Sequence, residues 1–218
     1  MVSADQQQTL CLTKLPLMHE EKLGDLPAHA DDIAFEWPKE EDIAAMLAAR
    51  GAEDNGPIKM TNVTFQKPYM VYGLHWVLSN GVSSPMFNSH PDDEIVLRKS
   101  PPEHPACLDD ASGTKRITKV SFAIKRVPAS HEPNREEVQV TGVRFYDGVT
   151  QWPFVEFVRG DPVGTWDSQE VPEGSTLVGF HGIMSKYVVS SDEYHDVRED
   201  GSIRLTRIGL ILAKQTPS

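Results

Sequence analysis

The chain has 218 residues, with 39% hydrophobic and 24% charged side chains, long enough to bury a sizeable core without disulfide or metal staples. Its 32 acidic residues against 21 basic ones give a formal charge of −11, with no segregated basic cluster, which argues against a nucleic-acid partner. The longest largely apolar run, residues 208–213, is far short of the roughly 20 residues of a bilayer-spanning helix, so no membrane insertion is expected.

Fifteen glycines and 16 prolines make a turn-rich composition that favours β structure over a helical bundle. Cys11 and Cys107 form neither a redox pair nor a zinc-ligand array. The first residues lack the basic start and apolar stretch of a secretory signal, and an intracellular, reducing location is expected.

Residues 1–57 read as an N-terminal arm, with Gln6-Gln7-Gln8, acidic pairs and scattered prolines between short apolar clusters. A helix is expected near residues 38–50. Pro38 suits its first position, Glu40, Glu41 and Asp42 suit the positive end of its dipole, and Gly51 suits its stop. Ile43, Met46 and Leu47 form one apolar stripe that either docks on the chain's own β domain or, with Trp37, holds a partner.

From Ile58 to residue 218 the texture becomes that of one β domain. Strands are expected over residues 60–66, 70–79, 117–126, 138–146, 176–182 and 203–213. In the third of these, Thr118, Val120, Phe122 and Ile124 alternate with Ile117, Lys119, Ser121 and Ala123, which predicts a sheet buried on one side. Residues 100–115 and 190–201 are expected to be surface loops.

A weak repeat links these strands: an apolar strand, then a glycine-centred one. Val63 and Phe65 lead to Val71-Tyr72-Gly73-Leu74-His75-Trp76, and Val120 and Phe122 lead to Val140-Thr141-Gly142-Val143-Arg144-Phe145. A third copy has Leu177-Val178-Gly179-Phe180 first, with the apolar residues 203–212 after it. A threefold β unit follows, with the strand glycines marking bulges or close backbone approach.

These stretches, with Ile117-Thr118-Lys119-Val120-Ser121-Phe122, Val171-Pro172-Glu173-Gly174-Ser175-Thr176 running into Leu177-Val178-Gly179-Phe180-His181-Gly182, and the closing Leu205-Thr206-Arg207-Ile208-Gly209-Leu210, resemble the jacalin-like lectin family over residues 58–214. The resemblance implies an all-β fold, a β-prism of three Greek-key sheets of four strands each. It also implies a sugar site in a Gly-x-x-x-Asp loop after the Val-Gly-Phe-x-Gly stretch. Carried over, that loop starts at Gly182 and passes Ser185, Lys186 and Tyr187, with Lys186 where the family has aspartate. A carboxylate accepts hydrogen bonds from sugar hydroxyls and an ammonium only donates them, so the substitution inverts the role of that position.

His90-Pro91-Asp92-Asp93-Glu94 resembles the core of LmbE-like zinc-dependent deacetylases. No matching distant histidine context appears among His104, His131, His181 and His195, and the α/β alternation of that fold is absent. Residues 196–207 fail as a calcium loop because Arg198 and Arg207 hold its third and twelfth positions. No P-loop, dinucleotide or common hydrolase motif occurs. Trp37, Trp76, Trp152 and Trp166 are read mainly as packing residues.

The sequence therefore predicts a non-catalytic interaction or structural module without cofactor or metal, with other protein subunits as expected partners. A carbohydrate-binding lectin is the alternative and a zinc deacetylase the third reading.

Overall fold

The computed structural model describes residues 9–18, 32–50, 56–66, 73–87, 106–109, 115–128, 136–158, 164–186 and 203–216. Its strands are β1 (Thr9–Lys14), β2 (Ile33–Trp37), β3 (Met60–Gln66), β4 (Gly73–Leu78), β5 (Ala106–Cys107), β6 (Lys119–Pro128), β7 (Glu136–Tyr146), β8 (Val155–Val158), β9 (Thr165–Glu170), β10 (Ser175–Lys186) and β11 (Ile203–Thr216). A 3₁₀ turn over Glu40–Asp42 runs into one short helix, α1 (Ile43–Ala48). The expected all-β class holds.

Three antiparallel sheets form, with strand orders β1-β11-β10-β2, β4-β3-β5 and β8-β7-β6-β9. The third is a Greek key: β6, β7 and β8 pair in succession and β9 returns beside β6. The second repeats that order, with β5 returning beside β3 and the third strand reduced to two bridges, Val77 to Ser83 and Leu74 to Phe87. In the first, β10 and β11 play the roles of β6 and β7, and the chain's own N-terminal strands supply the last two places. The threefold unit is real, and its third copy is completed from both ends of the sequence.

This corrects the expected division at residue 57. Residues 9–14 and 33–37 are the two edge strands of a sheet whose centre is β10 and β11, so these strands of the segment read as an arm belong to the prism. It also moves the matching glycine of the third copy. Gly73 in β4 and Gly142 in β7 correspond by topology to Gly209 in β11, opposite His181, and not to Gly179. Bulges do accompany strand glycines at two places: the register shifts between Leu177 and Gly179, and opposite Gly142 between Ala123 and Ile124.

The sheets share one aromatic core. The Phe180 ring of the first sheet lies 5.2 Å from Trp76 and 6.3 Å from Phe65 in the second, and 6.3 Å from Phe122 in the third. Edge-on contacts of this kind add about 0.5–1.5 kcal/mol each beyond area burial. The outer face of β6 is covered as well. Ser121 and Ala123 are buried like Val120 and Phe122, and the Ser121 hydroxyl meets that of Ser168 at 2.7 Å, so the one-sided burial expected there is not what forms.

The helical stretch begins with the 3₁₀ turn at Glu40 rather than at Pro38, and α1 itself at Ile43, with the Asp42 carboxylate accepting a hydrogen bond from the Lys39 backbone N–H at 2.8 Å. Met46 and Trp37 are buried in the chain's own core, and Ile43 and Leu47 pack against it. The four residues expected to grip a partner are thus occupied within the fold. The Asn80 side chain adds a latch, donating to the Met46 carbonyl at 2.7 Å.

Candidate functional site

The prism has two poles. At the hairpin pole the first strand of each unit turns into the second, as where β10 leads to β11. At the opposite, lead-in pole the chain enters β3, β6 and β10.

The resemblance puts the sugar loop at the hairpin pole, after Gly182. The structure puts Gly182 well inside β10, opposite Ile208 and Phe35. A Cβ there would collide with the Arg207 carbonyl oxygen and the Phe35 ring, so this glycine serves sheet packing. Ser185 is also buried, its hydroxyl donating to Asp32 Oδ1 at 2.5 Å and lying 3.2 Å from that of Thr206. Lys186 is the last residue of β10, paired with Ile203. Tyr187, residues 190–201 and the His90–Glu94 motif lie outside the described residues. The strand simply runs longer than the expected 176–182, and three of the four candidate sugar residues, Gly182, Ser185 and Lys186, lie within it.

The lead-in pole holds a cavity of about 140 Å³ lined by Pro57, Lys59, Met60, Leu108, Lys115, Arg116, Ile117, Thr176 and Leu177. Apart from Leu108, which follows β5, these residues come from the beginnings of the first strand of every unit, so the cavity sits where the three sheets converge. Its floor is apolar, with Met60, Leu108, Ile117 and Leu177 buried.

A closed ring of hydrogen bonds joins the three lead-in segments around it. The Thr176 hydroxyl donates to the Ile58 carbonyl at 2.7 Å. The Lys59 ammonium donates to the Lys115 carbonyl at 3.4 Å and pairs with Asp109 at 2.9 Å. The Arg116 guanidinium closes the ring, donating to the carbonyls of Pro172 at 2.5 Å and Val171 at 3.5 Å.

Lys115 connects this cavity to the loop between β7 and β8, since its ammonium lies 4.8 Å from the Phe154 ring centre. That loop is held by its own polar groups. Asp147 Oδ1 accepts from the backbone N–H groups of Val149 at 2.9 Å and Thr150 at 3.4 Å, and the Thr150 hydroxyl donates to the Trp152 carbonyl at 2.9 Å. Gly148 takes a positive φ of 75° within it. The result presents Val149 at 85% and Trp152 at 70% exposure.

Trp152 therefore departs from the packing role expected of the four tryptophans. Trp37 and Trp76 are core residues, and Trp166 lies under the Arg144 guanidinium at 3.8 Å. The sequence signal for Trp152 was its setting, Asp-Gly-Val-Thr-Gln-Trp-Pro, a turn-rich stretch without the alternation that buries a strand tryptophan.

Among the described residues no three histidine, cysteine, aspartate or glutamate side chains gather as a metal site, and no helix is long and apolar enough to cross a membrane. His181 is committed to structure, its Nε2 lying 2.8 Å from the Leu15 carbonyl. Three all-β sheets are also not the sheet-and-helix frame that a deacetylase of the LmbE-like type requires.

No protein family and no curated protein matches the sequence. Among solved structures the chain is similar to artocarpin, a jacalin-like lectin in complex with mannotriose, at 16% identity over 84% of this chain and 99% of artocarpin's, with a TM-score of 0.41. It is also similar to the V. cholerae biofilm matrix protein Bap1, at 11% identity over 72% of this chain, with a TM-score of 0.39. The match spans about a fifth (21%) of the Bap1 chain. Both scores are below 0.5, and the assignment of fold rests on strand order and the shared core. On those grounds the chain has the jacalin-like β-prism architecture that its sequence resembles.

Proposed function

We propose that the chain is a non-catalytic interaction module of a protein assembly, and that it engages another protein through the lead-in pole with Trp152 as anchor. The observation that carries this reading is the loop of residues 147–154, which is fixed from within and shows the solvent an indole beside a valine side chain. A preorganised loop loses little entropy on binding, and tryptophan is enriched among the few residues that dominate protein interfaces.

Protein is favoured over sugar because of where the loop's polar atoms go. Sugar recognition needs hydrogen-bonding groups converging beside the stacking ring. Here Asp147 Oδ1 and the Thr150 hydroxyl are spent on the loop's own backbone, and two of its exposed side chains, Val149 and Trp152, are large and apolar. An intracellular location belongs to the same reading, for which Cys11 and Cys107, both exposed free thiols, are suited to a reducing compartment.

The test is native recovery of partners with the full chain and with Trp152→Ala. The reading expects a partner recovered by the parent chain and lost with the variant, with no specific binding on a glycan array. Array binding that disappears in Trp152→Ala would support the lectin alternative instead.

A further inference from the structure

We infer that the cavity on the prism axis at the lead-in pole is a binding site for a small organic carboxylate, with Arg116 as the group that receives its charge. This rests on different residues from the protein-binding loop and stands or falls separately.

Three observations carry it. First, the cavity has about 140 Å³, close to the roughly 150 Å³ of an engineered apolar cavity that accepts benzene. A ligand with a body of about one six-membered ring fits that size. Second, the cavity is chemically two-sided. Met60, Leu108, Ile117 and Leu177 make an apolar floor, while Arg116 brings a guanidinium to its lining; the Lys59 charge there is paired with Asp109, and the Lys115 ammonium lies against the Phe154 ring. A floor of that kind suits a hydrocarbon body, and the Arg116 guanidinium at its edge suits an anionic group.

Third, Arg116 is held by neutral groups. Its Nη2 donates to the carbonyls of Pro172 and Val171, which orient the guanidinium without neutralising it. Those contacts use one nitrogen of a fork that has five N–H donors, and a planar carboxylate is the geometric match for such a fork. The hydrogen-bond ring through Thr176, Lys59 and Arg116 fixes the lining in advance, so binding needs little rearrangement.

The experiment titrates the full chain with benzoate, following the methyl resonances of Met60, Leu108, Ile117 and Leu177 by NMR. Benzamide, the neutral isostere, and inorganic phosphate are titrated in parallel. The expected result is saturable one-to-one benzoate binding that shifts these methyls, with benzamide at least tenfold weaker and phosphate producing no saturable shift. In Arg116→Gln, which removes the charge and keeps a polar side chain, benzoate binding should weaken at least tenfold.

Absence of saturable benzoate shifts overturns the proposal. So does equal binding of benzamide, which would mark a merely apolar void, or phosphate binding as tight as benzoate, which would mark an anion patch without a use for the floor. The benzoate and benzamide comparison uses the parent chain, so the proposal remains testable even if Arg116→Gln fails to fold.

Discussion

The indole Nε1 of Trp76 donates to the backbone carbonyl of Val178 at 3.0 Å, and Val178 is the extra residue of the bulge in β10, between the pairs Leu177 with Leu212 and Gly179 with Ile211. A bulge takes a residue out of the sheet ladder. Here a side chain from another sheet satisfies the carbonyl, and both residues are fully buried. Trp76→Phe keeps an aromatic ring but removes the donor. The expected loss is about 1–3 kcal/mol for the orphaned carbonyl, plus a cavity term for the smaller ring. Urea unfolding measures it, and a loss below about 0.5 kcal/mol would show that the bond contributes little.

Gly209 is a close-approach glycine. A Cβ at this position would stand 2.5 Å from His181 Nε2 and 2.9 Å from the Leu15 carbonyl oxygen, so Gly209→Ala forces apart the contact between His181 and Leu15. The backbone N–H of Leu15 is bonded to the Leu210 carbonyl at 2.9 Å, which leaves the segment after β1 little room to move away. Destabilisation of about 1–3 kcal/mol is expected, in the range of overpacking. Hydrogen exchange should show the protection of β1 falling more than that of β6. A uniform fall in both sheets would contradict this local account.

His75 predicts a pH dependence. Burial lowers its pKa below the ordinary 6.5, because a partly buried imidazole resists charging. The unfolded chain therefore takes up the proton first as pH falls. The stability tied to a neutral His75 is fully present above pH 6.5, declines as pH falls from there towards the lowered folded pKa, and does not change further below it. The ring is only half-buried, so the effect is modest. Urea midpoints at pH 7.5 and 5.5 should differ less in His75→Gln than in the parent chain. An equal difference in both would assign the acid sensitivity to other groups.

How much of this was legible in the sequence depends on where each strand lies in its sheet. Residues 60–66 were read to their ends because β3 is central, with Val63 and Phe65 buried among polar neighbours. The overlooked strands β1, β2, β5, β8 and β9 are all edge strands, β5 lying inside the expected surface loop of residues 100–115. Thr165–Glu170 has no fully buried residue, and edges are kept polar to discourage further pairing, which removes the alternation that reveals a strand. β1 and β2 carried the additional difficulty that their partners lie more than 130 positions away. The axial cavity left no motif, because its lining comes from several segments whose proximity exists only after the three sheets close. Trp152 was visible as a residue but not as a site, since exposure is set by the loop's internal hydrogen bonds.

Trp152→Ala separates binding from stability. The side chain is 70% exposed, and the hydrogen bond at this residue uses its backbone carbonyl, which alanine retains. The melting temperature should therefore change little, within about ±0.5 kcal/mol in stability terms, while partner recovery is lost. Asp147→Ala should act differently. It removes the acceptor for two backbone N–H groups, loosens the loop and weakens binding with the indole still present. If Trp152→Ala unfolds the chain, the indole is structural and the proposed anchor is wrong.

Deletion of residues 1–57 tests the prism's closure. If the third unit needed only β10 and β11, the remaining chain would fold. Its sheet would instead lose both edge strands, and the core would lose Leu10, Met18, Phe35, Trp37 and Met46, all buried. At about 1.5–3 kcal/mol for each such side chain, the loss is on the order of 7–15 kcal/mol, comparable to the whole stability of a domain at about 5–15 kcal/mol. The truncated chain should be insoluble or lack a cooperative unfolding transition. Met46→Ala, with its side chain fully buried on α1, should cost about 2–5 kcal/mol and leave a folded protein with a lower midpoint. Adding residues 1–57 back as a separate peptide should restore near-ultraviolet circular dichroism if the only defect is two missing strands and the rings they carry. A truncated chain that unfolds cooperatively at the parent temperature would show that the first sheet closes without its N-terminal edges.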